Sequence, residues 1–272
     1  MAITSRLSPF FVGLLLLPLT GQANAQGTAT PVEDFDPSRF PGYVMDDVVV
    51  PVPSEVFAVL DKLGEPNWRQ EMRAVKSAPS GDRPLLSFQF GNIVAEGFIA
   101  VQAEDRKAVE DIGREVMKLA TALGLSKAVN PHANAILEAA DKNDWNTIRK
   151  EFDLTQTTVR NTMEQMKDGP LSQCVSLGGW LRGTAAVTSV VGKNFSNDRS
   201  ELLYQPMLVE HFIGQIEKMP KSTKAHEAVV ASKKSLAEIK AVMDRSAEGF
   251  MPESVSSISK SCEVILTLIN AK

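Results

Sequence analysis

Between Pro170 and Gly192 the chain reads PLSQCVSLGGWLRGTAAVTSVVG, and Arg182 is the only charge in it. Ser172, Ser176, Gly179, Gly183 and Ala186 recur at spacings of four, three, four and three, which places them in one stripe of an α-helix. A bulkier stripe of Leu171, Cys174, Leu181 and Ala185 runs to one side, interrupted by Gly178. A glycine inside a helix costs about 1 kcal/mol relative to alanine, so Gly178, Gly179 and Gly183 need a reason to be there. The one the pattern suggests is close approach of a second helix to a surface without side chains. The segment therefore predicts the central helix of a bundle.

A second stretch competes for the centre. Leu85–Ala103 (LLSFQFGNIVAEGFIAVQA) has Glu96 as its only charge, and Leu86, Phe90, Ile93, Gly97 and Val101 share a helical face. Its phenylalanines and β-branched residues also suit two strands, but its length and three-four spacing favour helix. The rest of the chain reads the same way. Asp105 is placed to cap Arg106–Leu123, which Gly124 ends. Ser126–Asp141 is expected to be helical from Pro131 onward. Asp144 is placed to cap a helix with a seam at Trp145, Ile148, Phe152, Val159 and Met166. Two shorter helices are expected at Arg199–Gln205 and Pro206–Met219, then one over Thr223–Asp244, and a last one after Pro252. Ser54–Leu63 ends at Gly64, and Trp68 beyond it is a core anchor. Val48–Pro53 has an extended character, with no strand partner evident nearby. The fold class this predicts is all-α: a multi-helix bundle with mostly antiparallel neighbours, because the loops are short, and two central apolar helices.

The N-terminus sets the compartment. Arg6 precedes an apolar core from Phe10 to Leu19, and Ala23-Asn24-Ala25 follows as a small-residue cleavage site. This is the pattern of a secretory signal over residues 1–25, with Gln26 as the first mature residue. The apolar core falls short of the ~20 residues a spanning helix needs, so no membrane span is expected in the mature chain. Residues 26–42 mix Pro, Gly, Asp and Thr without period and read as a flexible leader, and 43–272 as the helical domain. The expected destination is export, to a periplasm or beyond. With Arg6 removed from the 29 basic residues, 33 acidic ones leave a net charge of −5. That speaks against a nucleic-acid partner, which wants a basic face.

The residues offer little chemistry. His132, His211 and His226 are the only histidines, and none has a His or Cys at metal-ligand spacing, so no metal or cofactor is expected. Asp141-Lys142-Asn143-Asp144 begins like a calcium loop but lacks glycine at position six and has Phe152 where Glu is required. Gly178-Gly179 has no P-loop lysine after it. No catalytic residue is nominated. Cys174 and Cys262 both fall on apolar helical faces. They either bridge, as an oxidising compartment permits, or stay as buried thiols. The candidate site is Glu96 with Arg182, each the sole charge of a central helix, with Gln89 and Asn92 on the same face as Glu96. Three arrangements are open: a direct ion pair, two charges turned to solvent, or a pocket for a polar ligand.

PVPSEVF at Pro51–Phe57 and SLGGWLRGT at Ser176–Thr184 together resemble a group of exported, helix-rich bacterial proteins of unknown function. That resemblance implies a bacterial exported protein and no particular activity. The expectation is thus an exported, non-enzymatic helical protein that binds a protein or small-molecule partner or serves structurally. The alternative is a periplasmic small-molecule-binding bundle with its polar site near Glu96 and Arg182.

Overall fold

A computed structural model describes residues 43–45, 48–50, 53–74 and 81–271. The expected export signal 1–25 and leader 26–42 lie outside the described residues. The described chain starts with a β-hairpin, β1 (Tyr43–Met45) against β2 (Val48–Val50), antiparallel with Val44 opposite Val49. This corrects the expectation that the valine run lacks a strand partner. The partner is the Tyr-Val-Met run just upstream, in a stretch whose flanking Pro, Gly and Asp residues mask its β character.

Helices α1 (Pro53–Lys62) and α2 (Trp68–Glu71) lead into α3 (Arg83–Gln102), α4 (Arg106–Leu123), α5 (Ser126–Asp141), α6 (Trp145–Gln165) and α7 (Gly169–Lys193). Four consecutive turns from α3 to α7 share one construction. Glu104, Gly124, Asn143 and Lys167 take positive φ of 47°, 78°, 53° and 60°. At each, the next residue's N–H reaches back over the helix end: Asp105 to Ala100 O, Leu125 to Ala120 O, Asp144 to Ala139 O and Asp168 to Met163 O, at 2.7–3.0 Å. This is the Schellman closure of a helix C-terminus. Asp105 and Asp144 then cap the following helix through Ala108 N and Thr147 N, each at 3.0 Å. Stop and start signals fused within three residues reverse the chain each time, so α3 to α7 pack as successive helical hairpins.

The remaining helices are α8 (Asn197–Glu201), α9 (Pro206–Lys218), α10 (Lys221–Lys224), α11 (Glu227–Arg245) and α12 (Pro252–Asn270). Helix α8 spans Asn197–Glu201 rather than the expected Arg199–Gln205, and two further helices differ from expectation. Helix α5 starts at Ser126 and carries Pro131 inside it; a missing N–H in the second turn costs one hydrogen bond, and burial of Val129 and Ala133 on either side holds the helix together. The helix expected over Thr223–Asp244 is broken in two. His226 accepts from Ala228 N at 3.2 Å as the N-cap of α11, and its other ring nitrogen meets Asp82 at 2.9 Å.

Helices α3 and α7 cross at the centre and separate two apolar cores. One packs Leu86, Phe90 and Ile93 of α3 against α4, α5 and α6; the other packs Phe88 of α3 and Leu177, Leu181 and Val191 of α7 against α9, α11 and α12. Because α3 feeds both cores, it is buried around nearly its whole circumference from Leu85 to Val101. By length and composition it is the one helix among the described residues able to cross a membrane, and 83% of its apolar window is buried inside the bundle. The architecture is an all-α bundle, with the hairpin as a small addition beside α9.

Candidate functional site

The charges inside the two central apolar segments meet. Arg182 Nε donates to Glu96 Oε1, and both residues are 1% exposed. Arg182 Nη2 also donates to the Glu71 carbonyl at 2.5 Å, and the Arg73 N–H donates to Glu96 Oε2 at 3.2 Å. The pair thereby holds the short segment after α2 against both central helices. Charge pairing continues outward: Lys193 Nζ donates to Glu71 Oε1 at 2.5 Å, and the Arg73 guanidinium grips Glu263 of α12 through two bonds of 3.0 and 2.5 Å. Glu263, the larger influence, keeps Arg73 charged even further into the alkaline range than usual. Three carboxylates face three cations. A buried charge is tolerable only when paired and hydrogen-bonded, and this cluster meets that condition from within the chain.

Gln89 and Asn92 do not extend the pair. Gln89 Nε2 donates to the Ile269 carbonyl at 2.8 Å, and Asn92 Nδ2 donates to Asn270 Oδ1 at 3.3 Å. They serve the C-terminus of α12, where the last carbonyls have no helical partners. Their own side-chain oxygens are buried without a protein donor.

The small-residue stripe of α7 divides in a way periodicity does not reveal. A Cβ on Gly178 would overlap the Phe88 carbonyl, and one on Gly91 would overlap the Val175 carbonyl. These two glycines are where α3 and α7 touch backbone to backbone. A Cβ on Gly183 would meet nothing within 4 Å. Ser172, Ser176, Gly179, Gly183 and Ala186 line an apolar groove of about 510 Å³, and Gly179 also packs on α3, since a Cβ on it would stand 3.3 Å from the Gly91 carbonyl oxygen. Val94 and Phe98 of α3 and Phe152 and Val159 of α6 wall one side, and Leu208 and Phe212 of α9 the other. Trp180 stands at the α9 side, its Nε1 donating to Gln205 Oε1 at 2.9 Å. Glu96 and Arg182 do not line this space, although their chain neighbours Ala95, Gly97, Gly183 and Thr184 do. The charged cluster and the groove occupy different faces of the same two helices.

A second recess of about 250 Å³ lies at the α6–α7 end, and Arg160, Ser172 and Ser176 line both it and the groove. Val94 and Phe98 of α3 and Phe152 of α6 are only partly buried along this groove, which hydrophobic periodicity alone does not show.

A hydrogen-bonded relay joins α5 to α6. His132 Nδ1 lies 2.8 Å from Glu151 Oε2 and Nε2 lies 3.1 Å from Thr158 Oγ1. The order hydroxyl, imidazole, carboxylate is that of a hydrolytic triad. Thr158, however, sits in the middle of α6, where backbone N–H groups are committed to the helix and do not supply an oxyanion hole. The relay acts as a polar bolt between two helices.

Cys174 and Cys262 are both free thiols, each fully buried; of the two alternatives open from the sequence, the structure has the unbridged one. Asp141 and Asp144, the start of the incomplete calcium loop, pair with Arg106 at 2.7 Å and cap α6, respectively. Among the described residues no three His, Cys, Asp or Glu side chains are grouped to hold a metal ion. Compared with protein-family models, curated proteins and solved structures, the chain matches none.

Proposed function

We propose that this protein is an exported, non-enzymatic helical bundle that binds an apolar small molecule in the groove over α7. The single observation carrying the reading is the open space above Gly183. A glycine there weakens the helix and relieves no contact within the chain, while its neighbours continue the floor of a groove of about 510 Å³. That volume falls in the ~300–1,000 Å³ range of ligand sites, which are likewise mostly apolar with few polar groups. Export is supported by the signal pattern over residues 1–25 and the Ala23-Asn24-Ala25 site. The bacterial origin rests on the resemblance alone.

A neutral apolar dye, N-phenyl-1-naphthylamine, tests the binding. The mature chain should enhance its fluorescence saturably, and the dye should raise the melting temperature, because a ligand that binds the native state stabilises it. Gly183→Leu should fold and lose the dye, since its side chain would fill the floor. A chain that neither binds the dye nor gains stability from it refutes the reading. For export, mass analysis of the secreted or periplasmic protein should show Gln26 at the N-terminus, and an intact Met1 would refute it.

A further inference from the structure

We infer that the occupant of the groove is a neutral apolar molecule with one hydroxyl or carbonyl group, held by a hydrogen bond to Thr184 of α7. The inference rests on the groove being a binding site and adds the chemistry of its ligand. Thr184 lines the groove together with Trp180, one turn before it, and Val187, one turn after. It is 9% exposed, yet its hydroxyl makes no hydrogen bond among the described residues. A threonine inside a helix can satisfy its hydroxyl by bonding back to a carbonyl of the preceding turn. Thr121, Thr155 and Thr162 do so at 2.6–2.9 Å, and Thr188 reaches the Ala185 carbonyl at 2.9 Å. Thr184 makes no such bond. The oxygens of Gln89 and Asn92 are sealed inside the bundle, but that of Thr184 is not; the open space beside it is the groove.

The rest of the lining has no place for a charge. Arg160 is the only ionisable side chain among the described residues that line the groove. It is already engaged within the chain, with Glu164 at 4.0 Å among its partners. The Gln205 amide is used at both ends: Oε1 accepts from Trp180 Nε1 at 2.9 Å, and Nε2 donates to the Leu202 carbonyl at 3.4 Å. Ser172 and Ser176 are only partly buried and line the second recess as well, so the groove alone does not enclose them.

An ionised head would lose its hydration between apolar walls and find no uncompensated countercharge there, which is costly. A neutral hydroxyl or carbonyl avoids that cost and gives the Thr184 hydroxyl an acceptor. The bond it forms replaces one that the chain itself leaves unmade at a buried group.

Displacement of N-phenyl-1-naphthylamine from the mature chain tests this with decanol, 1-chlorodecane, decanoate and decylamine, which share a chain length and differ in the head. Decanol should displace the dye at a concentration about tenfold or more below both decanoate and decylamine. In Thr184→Val, which keeps the shape and removes the hydroxyl, the ratio of decanol to 1-chlorodecane displacement concentrations should shift about three- to tenfold against decanol, the size of one neutral hydrogen bond. Thr184→Ser should keep the wild-type ratio, and Thr184→Ala should replace the valine variant if that one does not fold. Displacement by decanoate or decylamine as effective as by decanol overturns the neutral ligand while leaving the groove reading intact. A ratio that stays put when the hydroxyl is removed overturns the placement of the polar group at Thr184. Absence of dye binding in the wild-type chain overturns the groove reading and this inference with it.

Discussion

The carbonyl oxygen of Val175 occupies the position that a Cβ on Gly91 would need. Phe88 O stands in the same relation to Gly178, so α3 and α7 meet through reciprocal glycine contacts. Helix axes this close leave no room for even a methyl group. Gly91→Ala and Gly178→Ala should each destabilise the fold by at least ~1–3 kcal/mol, the cost of overpacking a rigid contact. Gly183→Ala, on the same helix as Gly178 but over open space, should stabilise it by up to ~1 kcal/mol. Urea denaturation of the three variants checks the contrast; equal effects at 178 and 183 would show that the backbone contact does not define the crossing.

Burial pushes the Cys174 thiol up to about 12, and Cys262 is shifted up as well, chiefly by burial. Neither should react with iodoacetamide in the native protein at pH 8, and both should react after unfolding without reductant. Both thiols ionise less readily folded than unfolded. Their contribution to stability is thus fully present below the unfolded value of ~8.5 and is lost as pH rises from there through the folded values. Mutating both to Ser should flatten the alkaline limb of the stability profile. No alkylated thiol in the unfolded, unreduced chain, with two after reduction, would mean a bridge.

Asp61 shows the opposite sign. A hydrogen bond from Arg149 is the main reason its carboxyl lies below the usual range, with Gln102 assisting. The bonds are 3.0 Å and 2.9 Å, and the Arg149 guanidinium stacks 4.6 Å over Phe57. This contribution is present above the unfolded value of ~3.9 and is lost as pH falls through the folded one. The Asp61 side chain is 53% exposed, so Asp61→Asn should cost less than ~1 kcal/mol at pH 7. The difference from wild type should vanish at pH values below the folded pKa, and a constant difference across that range would assign the effect to packing.

What was legible in the sequence was what local chemistry decides. Asp105, Gly124 and Asp144 do what their residue types do at helix ends, and the two apolar segments with a single internal charge, Glu96 or Arg182, form the central helices. Glu104 and Lys167 take left-handed backbone without being glycine, because Schellman bonds close both turns, and Asp105 adds its cap bond at the first. Long-range geometry was not legible. Periodicity puts Gln89, Asn92 and Glu96 on one face, but only the fold brings the end of α12 to the first two. The stripe of α7 was visible, yet which of its glycines is covered by a helix depends on where α3 crosses, so the groove could not be read from spacing.

Glu96 and Arg182 give the strongest test of the centre. Each is 1% exposed, and each also holds a backbone group beyond the pair, Arg73 N for Glu96 and Glu71 O for Arg182. Removing one partner strands a charge in a medium that cannot solvate it, which typically costs ~3–5 kcal/mol. Glu96→Gln keeps the shape and removes the charge; Arg182→Met keeps the apolar stem and removes the guanidinium. Each single variant should therefore be strongly destabilised. The double variant should lose much less than the sum, because no unpaired charge remains and the cost left is that of two backbone groups short of a partner. A cycle closed by urea denaturation should return a coupling of ~2 kcal/mol or more. None of the three variants should change the affinity of the dye for the groove, which these side chains do not line. Additive effects, each below ~0.5 kcal/mol, would mean that the two side chains meet solvent instead of each other.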